Sequence, residues 1–173
     1  MDGEVLTERL RCRAPRDDEH DRSRYEELLL SPEIQRWLQP SPLEPLTAAD
    51  VAALLSSDVA HWPTYGFGPW VLELREDGRF AGRGGLKTTT VRGEPAVELP
   101  WSVVPALQGR GLATEAGAAA LQAARALGLP EVVSYTLTTN LASQRVMERI
   151  GLRRDGELEH AGLPHVLYRL ALD

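Results

Sequence analysis

The segment Gln108-Gly109-Arg110-Gly111-Leu112-Ala113 joins a β-like run ending in Val103-Val104-Pro105 to an alanine-rich stretch of helical pattern. That joint constrains the fold more than any other feature of the chain. A turn that points several amides to one side needs positive φ, or so close an approach that no Cβ fits, and glycine meets both needs. The first turn of the following helix leaves its N–H groups without intrahelical partners, and the helix dipole adds positive potential there. The joint is therefore suited to a phosphate, with Arg110 adding a charge beside it. The same residues would also serve as a tight strand-to-helix connection with no ligand, and the turn alone does not decide between the two.

Periodicity supplies the context. Leu6 to Arg13 alternates and predicts a first strand, ended by Pro15. Asp17-Asp18 precede a polar helix through Leu30, Ser31-Pro32 restarts a short one from Glu33 to Leu38, and Pro40 to Pro45 is a loop. Thr47 is placed as the N-cap of a helix to about His61, with Val51, Leu54, Leu55 and Val59 on one face. Strands are expected at Trp70 to Leu74 and Phe80 to Thr90, around the turn Glu76-Asp77-Gly78, and at Pro95 to Val104. Ala113, Ala116, Ala120, Leu121, Ala124 and Leu127 share one face of the next helix, which Gly128 stops. Val132 to Leu137 reads as a buried strand, and Asn140 as the N-cap of a helix carrying Val146 and Ile150 and closed by Gly151. Two last strands, Leu152 to Leu158 and Val166 to Leu172, are expected around Gly162-Leu163-Pro164.

With 173 residues and 43% hydrophobic content, the chain predicts a single domain over residues 1–173 with one buried core. A net charge of -6 argues against a nucleic-acid binder, which needs clustered Lys and Arg, and mildly favours a cationic partner. Lys87 is the only lysine. The single Cys12 excludes an internal disulfide and fits a reducing compartment. Met1-Asp2-Gly3-Glu4-Val5 has no leader character, and no segment approaches 18 uninterrupted apolar residues, so a cytoplasmic protein off the membrane is expected.

Two segments carry a family resemblance. Gln108-Gly109-Arg110-Gly111-Leu112-Ala113-Thr114-Glu115-Ala116 matches the Q/R-x-x-G-x-G/A acyl-CoA motif of the GCN5-related N-acetyltransferases (GNAT), and Asn140-Leu141-Ala142-Ser143 with Val146 to Leu152 resembles their N-x-x-S...L-G-F segment. With the entry strand Leu6 to Arg13, the resemblance covers nearly the whole chain, and it is nearest to the bacterial ribosomal-protein N-terminal acetyltransferases. It implies an α+β fold: a central mixed, mostly antiparallel sheet of about seven strands flanked by helices, with a splay between the fourth and fifth strands.

The resemblance also implies the chemistry. Acetyl-CoA would be the cofactor, its pyrophosphate held by amides of Gln108, Gly109, Arg110, Gly111, Leu112 and Ala113. Its pantetheine arm would lie along a strand edge near Ser102, Val103 and Val104. Pro100, which cannot donate to a ladder, either helps open the splay or merely bends the strand. Glu98 is the candidate general base, since an alkyl amine with a pKa near ~10.4 is mostly protonated at neutral pH. A backbone N–H around Val103 would hold the carbonyl oxygen. Many family members carry a tyrosine proton donor where Met147 falls, and a thioether cannot donate, so Ser143 is the substitute. Asn140 would contact the cofactor arm, cap its helix, or do both.

The implied activity is direct acetyl transfer to a primary amine, either a peptide N-terminus or a small molecule, in a ternary complex. The alternative is a catalytically silent acyl-CoA-binding module, against which Glu98 and Ser143 argue. Walker and Rossmann nucleotide signatures are absent. His20, His61, His160 and His165 have no partners at metal-ligand spacing and read as surface residues, so no metal is expected. Cys12 reads as a small buried hydrophobe, Tyr135 as a sheet residue, and Trp37 as the tryptophan best placed to touch an acceptor. Homodimers are common in the family, and nothing in these residues reads on that state.

Overall fold

The computed structural model describes residues 3–172. Where periodicity gave seven strands, the described residues form ten, because three long strands each break in two. The first becomes β1 (Val5–Leu6) and β2 (Leu10–Arg13), a tight hairpin in which Thr7 N–H donates to Leu10 O at 2.9 Å. After α1 (Glu19–Leu29), α2 (Pro32–Leu38) and α3 (Ala48–Tyr65) come β3 (Pro69–Leu74), then β4 (Phe80–Gly85) and β5 (Lys87–Val91), then β6 (Glu94–Glu98) and β7 (Trp101–Val103). A single 3-10 turn at Pro105–Leu107 leads to α4 (Leu112–Ala126), followed by β8 (Glu131–Leu137), α5 (Leu141–Arg149), β9 (Arg153–His160) and β10 (Leu163–Ala171).

The breaks at Leu86 and at Leu99-Pro100 have one cause: at both points the chain passes between two sheets. One sheet has the order β1-β2-β3-β4-β7, the other β5-β6-β8-β10-β9. Neighbours pair antiparallel, except that β6 meets β8 in parallel through the pair Glu98↔Val133. This is the expected mixed, mostly antiparallel α+β architecture with its splay, realised as two five-stranded sheets.

Alternation along β3 sends Leu72 and Val71 to opposite faces and so divides the packing. Leu72 joins Leu10, Leu112, Ala116, Ala120, Ala124, Val132, Met147 and Tyr168 in the main core, which α4 shares with both sheets. Small residues on α4 permit this closeness: a Cβ on Gly117 would lie 2.9 Å from Cδ1 of Ile150, the C-cap of α5. Val71 packs instead with Tyr25, Leu28, Ile34, Val51 and Leu55 of the first three helices. Those helices are also tied down by charge. Arg13 of β2 forks onto the buried Asp21 of α1 at 2.6 and 2.8 Å, and Glu73 of β3 accepts from Arg13 and Arg24 at 3.0 and 2.6 Å.

Two expected boundaries move. The third helix runs past His61 to Tyr65, where Gly66 at φ 75 closes it, and Pro63 is tolerated in the last turn. The final hairpin turns at Ala161 (φ 50) and Gly162 (φ 73) rather than at Gly162-Leu163-Pro164, because a two-residue hairpin loop of this hand takes positive φ at both central positions. Leu163 and Pro164 accordingly open β10, opposite His160 and Glu159. No helix among the described residues is long and apolar enough to cross a membrane.

Candidate active site

The site begins where β6 leaves β8. Leu99 N–H donates to Val133 O at 2.8 Å, and Ser134 Oγ donates to Leu99 O at 3.0 Å. Pro100 then has no N–H to offer. β7 pairs with β4 instead, so β7 and β8 diverge from the Glu98↔Val133 vertex. Each of these two strands leads directly toward a helix, α4 after β7 and α5 after β8. Both helix N-termini therefore open at the wide end of the gap.

Antiparallel pairs alternate between bonded and non-bonded residues, which decides what β7 shows to the gap. Val104 N–H donates to Ala81 O at 2.9 Å, which places Ser102, paired with Arg83, in the next bonded position. The backbone polar groups of Ser102 thus face β4, as does the Val104 amide. Val103 lies between them and turns its N–H and C=O toward the gap, where Gln108 Nε2 donates to the carbonyl at 3.0 Å. Of the three residues expected to line the strand edge, Val103 is the one that presents its backbone there. Gly82 makes the β4–β7 contact feasible, because a Cβ on it would overlap the Ser102 carbonyl oxygen.

Gln108 to Ala113 form the turn at the mouth of the gap. Gly109 and Gly111 take φ 76 and 80, and Gly111 is the N-cap of α4 with no side chain to cap it. The first helical bond is Glu115 N–H to Gly111 O at 3.0 Å, so Leu112, Ala113 and Thr114 have N–H groups with no partner inside the helix. One brace of this turn was not visible in the sequence. Arg9, in the β1–β2 turn, donates from Nη1 to Arg110 O at 2.7 Å and from Nε to Glu115 Oε2 at 2.7 Å. Thr7 Oγ1 and the Arg9 N–H bond the other Glu115 oxygen, and although burial pushes that carboxyl up, these donors hold it below its usual range. Arg110 also lines a cavity of about 560 Å³ with Arg9, Arg75, Arg79 and Leu112.

Glu98 is the last residue of β6 and stands at the vertex. Burial raises its carboxyl above the ordinary glutamate value, against the opposing pull of Arg83, the Tyr135 hydroxyl and Lys87. Tyr135 is a sheet residue, as expected, but its hydroxyl also comes close enough to Glu98 to be raised by it, after the larger effect of burial. His160 and His165, read from sequence as scattered surface residues, come together beside it. Their ring centroids lie 5.0 and 6.0 Å from Tyr135 and 5.3 Å from each other, because the final hairpin folds one strand beside the other. His160 stays exposed, as expected, but His165 and His61 are buried, the latter with Nδ1 on Phe67 O at 2.7 Å and Nε2 accepting the Thr88 N–H at 3.0 Å. That acceptor role fixes its proton on Nδ1.

On the α5 side, Asn140 is a buried N-cap whose Oδ1 accepts the Ser143 N–H at 3.2 Å. Ser143 is half-buried in the first turn of the helix, and Met147 one turn later lies in the main core. Cys12 is buried, and its thiol is pushed up to about 12, first by burial and then by Glu115. The guanidinium of Arg36 lies 5.1 Å over the ring of Trp37. Among the described residues no group of three His, Cys, Asp or Glu side chains could hold a metal ion.

The arrangement offers an amide cradle for an anion, a strand edge for an extended arm and a carboxyl of raised pKa at the vertex. Comparison with known proteins points the same way. Residues 9–153 match the family described as Acetyltransferase (GNAT) domain. An uncharacterized N-acetyltransferase, YnaD of Bacillus subtilis (strain 168), is 35% identical over 65 residues, 37% of this chain and 38% of that protein. The match thus spans well under half the length of that relative. The crystal structure of an acetyltransferase from Agrobacterium tumefaciens superimposes with a TM-score of 0.79 and 29% identity, covering 96% of this chain and 93% of the other. RimL, a ribosomal L7/L12 alpha-N-protein acetyltransferase solved in complex with coenzyme A, shares the fold with a TM-score of 0.77 at 17% identity, over 98% and 97% of the two chains.

Proposed function

The chain belongs to the GNAT acetyltransferase family, and from that premise we propose that it transfers an acetyl group from acetyl-CoA directly to a primary amine. The carrying observation is the meeting, at one gap, of the unpartnered α4 amides, the gap-facing Val103 N–H and the Glu98 carboxyl. In this reading the expected amide cradle shifts by one residue, because Gln108 spends its N–H on Pro105 O at 3.2 Å: Gly109 to Thr114 hold the pyrophosphate with backbone N–H groups, and Arg110 adds charge. Val103 offers its edge to the pantetheine arm and its N–H to the carbonyl oxygen as negative charge builds there. When bound, acetyl-CoA supplies the acetyl thioester.

Glu98 takes one proton from the incoming ammonium, which frees the nitrogen lone pair to attack the carbonyl carbon. Its raised pKa suits it to this work, because a base poised nearer neutrality holds the abstracted proton better. Ser143 passes the second amine proton to the departing sulfur as the carbon–sulfur bond breaks. The products are the amide, the free thiol and one proton that leaves from Glu98. An N-terminal amine of a protein is the acceptor that the RimL likeness favours.

The test is to incubate the protein with acetyl-CoA and a panel of amines and to follow thiol release. Acceptor-dependent, saturable release that disappears in Glu98→Gln is expected. Coenzyme A binding with no acceptor-dependent thiol would replace this reading with that of a silent acyl-CoA-binding module.

A further inference from the structure

Lys87 stands directly across from Glu98 in the β5–β6 register, yet its ammonium turns away from it. Nζ lies 2.8 Å from Oδ1 of Asp58, a fully buried carboxylate on α3. Arg83, whose charge also reaches Glu98, does the same from β4: Nε is 2.5 Å from Asp58 Oδ2 and Nη2 is 2.9 Å from Oδ1. The Tyr25 hydroxyl of α1 donates to Oδ2 at 3.0 Å. Four donors thus occupy a carboxylate that offers about four acceptor sites. Among the described residues Glu98 makes no ion pair with either cation.

Ordinary electrostatics favours a different arrangement. Two cations beside a carboxylate in a confined site should close on it, and a carboxylate so paired is depressed by about 1–3 pH units. Glu98 moves the other way, because its burial is not answered by direct pairing. We propose that Asp58 is a positioning residue that holds Arg83 and Lys87 off Glu98, so that the Glu98 carboxyl stays free to accept a proton. The inference rests on the reading of Glu98 as the base and adds the device that keeps it competent. Asp58 touches neither substrate nor cofactor in this account and acts only through the two cations.

The other groups around Glu98 do not share this task. Tyr135 on β8 meets it with a neutral hydroxyl, which Thr89 of β5 also contacts. His160 on β9 and His165 on β10 lie behind the Tyr135 ring, and His61 on α3 is committed to Thr88 and Phe67. Cationic charge therefore reaches the carboxyl chiefly from Arg83 and Lys87, and Asp58 governs where both point.

The test is a titration of the Glu98 side-chain carboxyl by carbon NMR on the full chain labelled at glutamate, the resonance being assigned by its loss in Glu98→Gln. In Asp58→Asn the released cations should swing to Glu98 and lower its midpoint by about one pH unit or more. Adding Lys87→Met to Asp58→Asn should recover part of that fall, which a merely structural role for Asp58 would not produce. A midpoint unchanged in folded Asp58→Asn overturns the proposal. Lys87→Met alone keeps the test decisive if Asp58→Asn does not fold. With the ammonium already committed to Asp58, the Glu98 midpoint should move by less than about half a pH unit, and a rise of about one unit or more overturns the proposal. The acid limb of the kcat/KM profile is recorded in parallel. If the carboxyl midpoint moves and the limb does not, the holding role of Asp58 stands and the reading of Glu98 as base falls.

Discussion

Gln108 donates its side-chain amide back to the carbonyl of Val103, five residues earlier, at 3.0 Å. The bond fastens the free edge of β7 to the first residue of the glycine turn before α4, so the two surfaces proposed to hold one cofactor are fixed to each other. It also satisfies the Val103 carbonyl and leaves the N–H of the same residue as the donor facing the gap.

Removing this fastening should affect cofactor binding before chemistry. Gln108→Ala deletes one hydrogen bond worth about 0.5–1.5 kcal/mol, so the KM for acetyl-CoA should rise roughly two- to tenfold. The KM for the amine should stay unchanged. Steady-state kinetics with each substrate varied in turn checks this, and an equal rise in both constants would refute the fastening role.

Glu98→Gln should separate activity from stability. Loss of a general base predicts a fall in kcat of about 10²-fold or more. The carboxyl is raised in the fold, so its contribution to stability is full below its unfolded value, near 4.5, and is lost as pH rises through the folded value. Above that window the wild type carries the cost of a half-buried, partly desolvated charge that the amide lacks. The variant should accordingly melt at higher temperature than the wild type at pH 8 and show no such advantage at pH 4. Paired thermal melts at the two pH values measure the difference.

The acid limb of stability should come from other groups. Asp21, Asp58 and Glu73 are each pushed up by burial, yet their arginine partners, and Lys87 in the case of Asp58, hold all three below the ordinary carboxylate values of 3.8, 3.8 and 4.5. A depressed carboxyl stabilises the fold above its unfolded pKa and ceases to do so as pH falls through its folded value. Stability should therefore decline steeply below about pH 4 as these groups take up protons. Asp21→Asn leaves Arg13 without its fork and should cost about 3 kcal/mol or more at pH 7. Its stability should then depend less on pH in the acid range than that of the wild type, as urea denaturation at pH 3 and pH 7 would show.

Local signals made most of the architecture legible. Thr47 and Asn140 cap their helices as their positions announce, Asp18 caps α1 where only a favourable carboxylate before the helix was expected, and the alanine stripe of α4 does pack against both sheets. What was hidden depends on long-range pairing. The breaks at Leu86 and Pro100 come from strands changing partners between sheets, which leaves no mark in a period-two pattern, and only the second is signalled at all, by a proline that cannot donate to a ladder. Arg9 bonds the turn 101 residues away, and no local spacing announces it. Tyr135, His160 and His165 meet only because β10 lies between β8 and β9.

Gly82→Ala should test the splay without touching the turn. The residue takes φ 149, and a side chain there would overlap the backbone of β7 at Ser102, so relief requires β7 to shift rather than a rotamer to change. A cost of about 2–4 kcal/mol is expected from strain and overpacking together. Because β7 is the edge proposed to carry the acyl arm, the variant should also bind coenzyme A more weakly. Gly93→Ala serves as the control: its φ of 85 is also positive, but a Cβ there meets nothing within 4 Å, so it should cost only the backbone strain and leave binding unchanged. Calorimetric titration of both variants with coenzyme A separates displacement of the strand from a general loss of stability.

Ser143 and Asn140 divide the first turn of α5 between them, and their variants should divide the kinetics. The Asn140 side chain is buried and spends its oxygen on the Ser143 N–H, so Asn140→Ala should cost about 1 kcal/mol of stability, as lost N-caps do. Ser143 gives its backbone N–H to that cap, and its hydroxyl is the group proposed to protonate the leaving sulfur. Ser143→Ala should therefore leave stability and the KM for acetyl-CoA near wild type while lowering kcat, by about tenfold rather than the larger loss expected at Glu98, because a thiolate departs readily without full protonation. Raising the acidity of the thiol in an acetyl donor should narrow the gap between Ser143→Ala and the wild type. A constant gap across donors would show that the hydroxyl does not deliver the proton, and Ser143 would then be only a residue of the helix start.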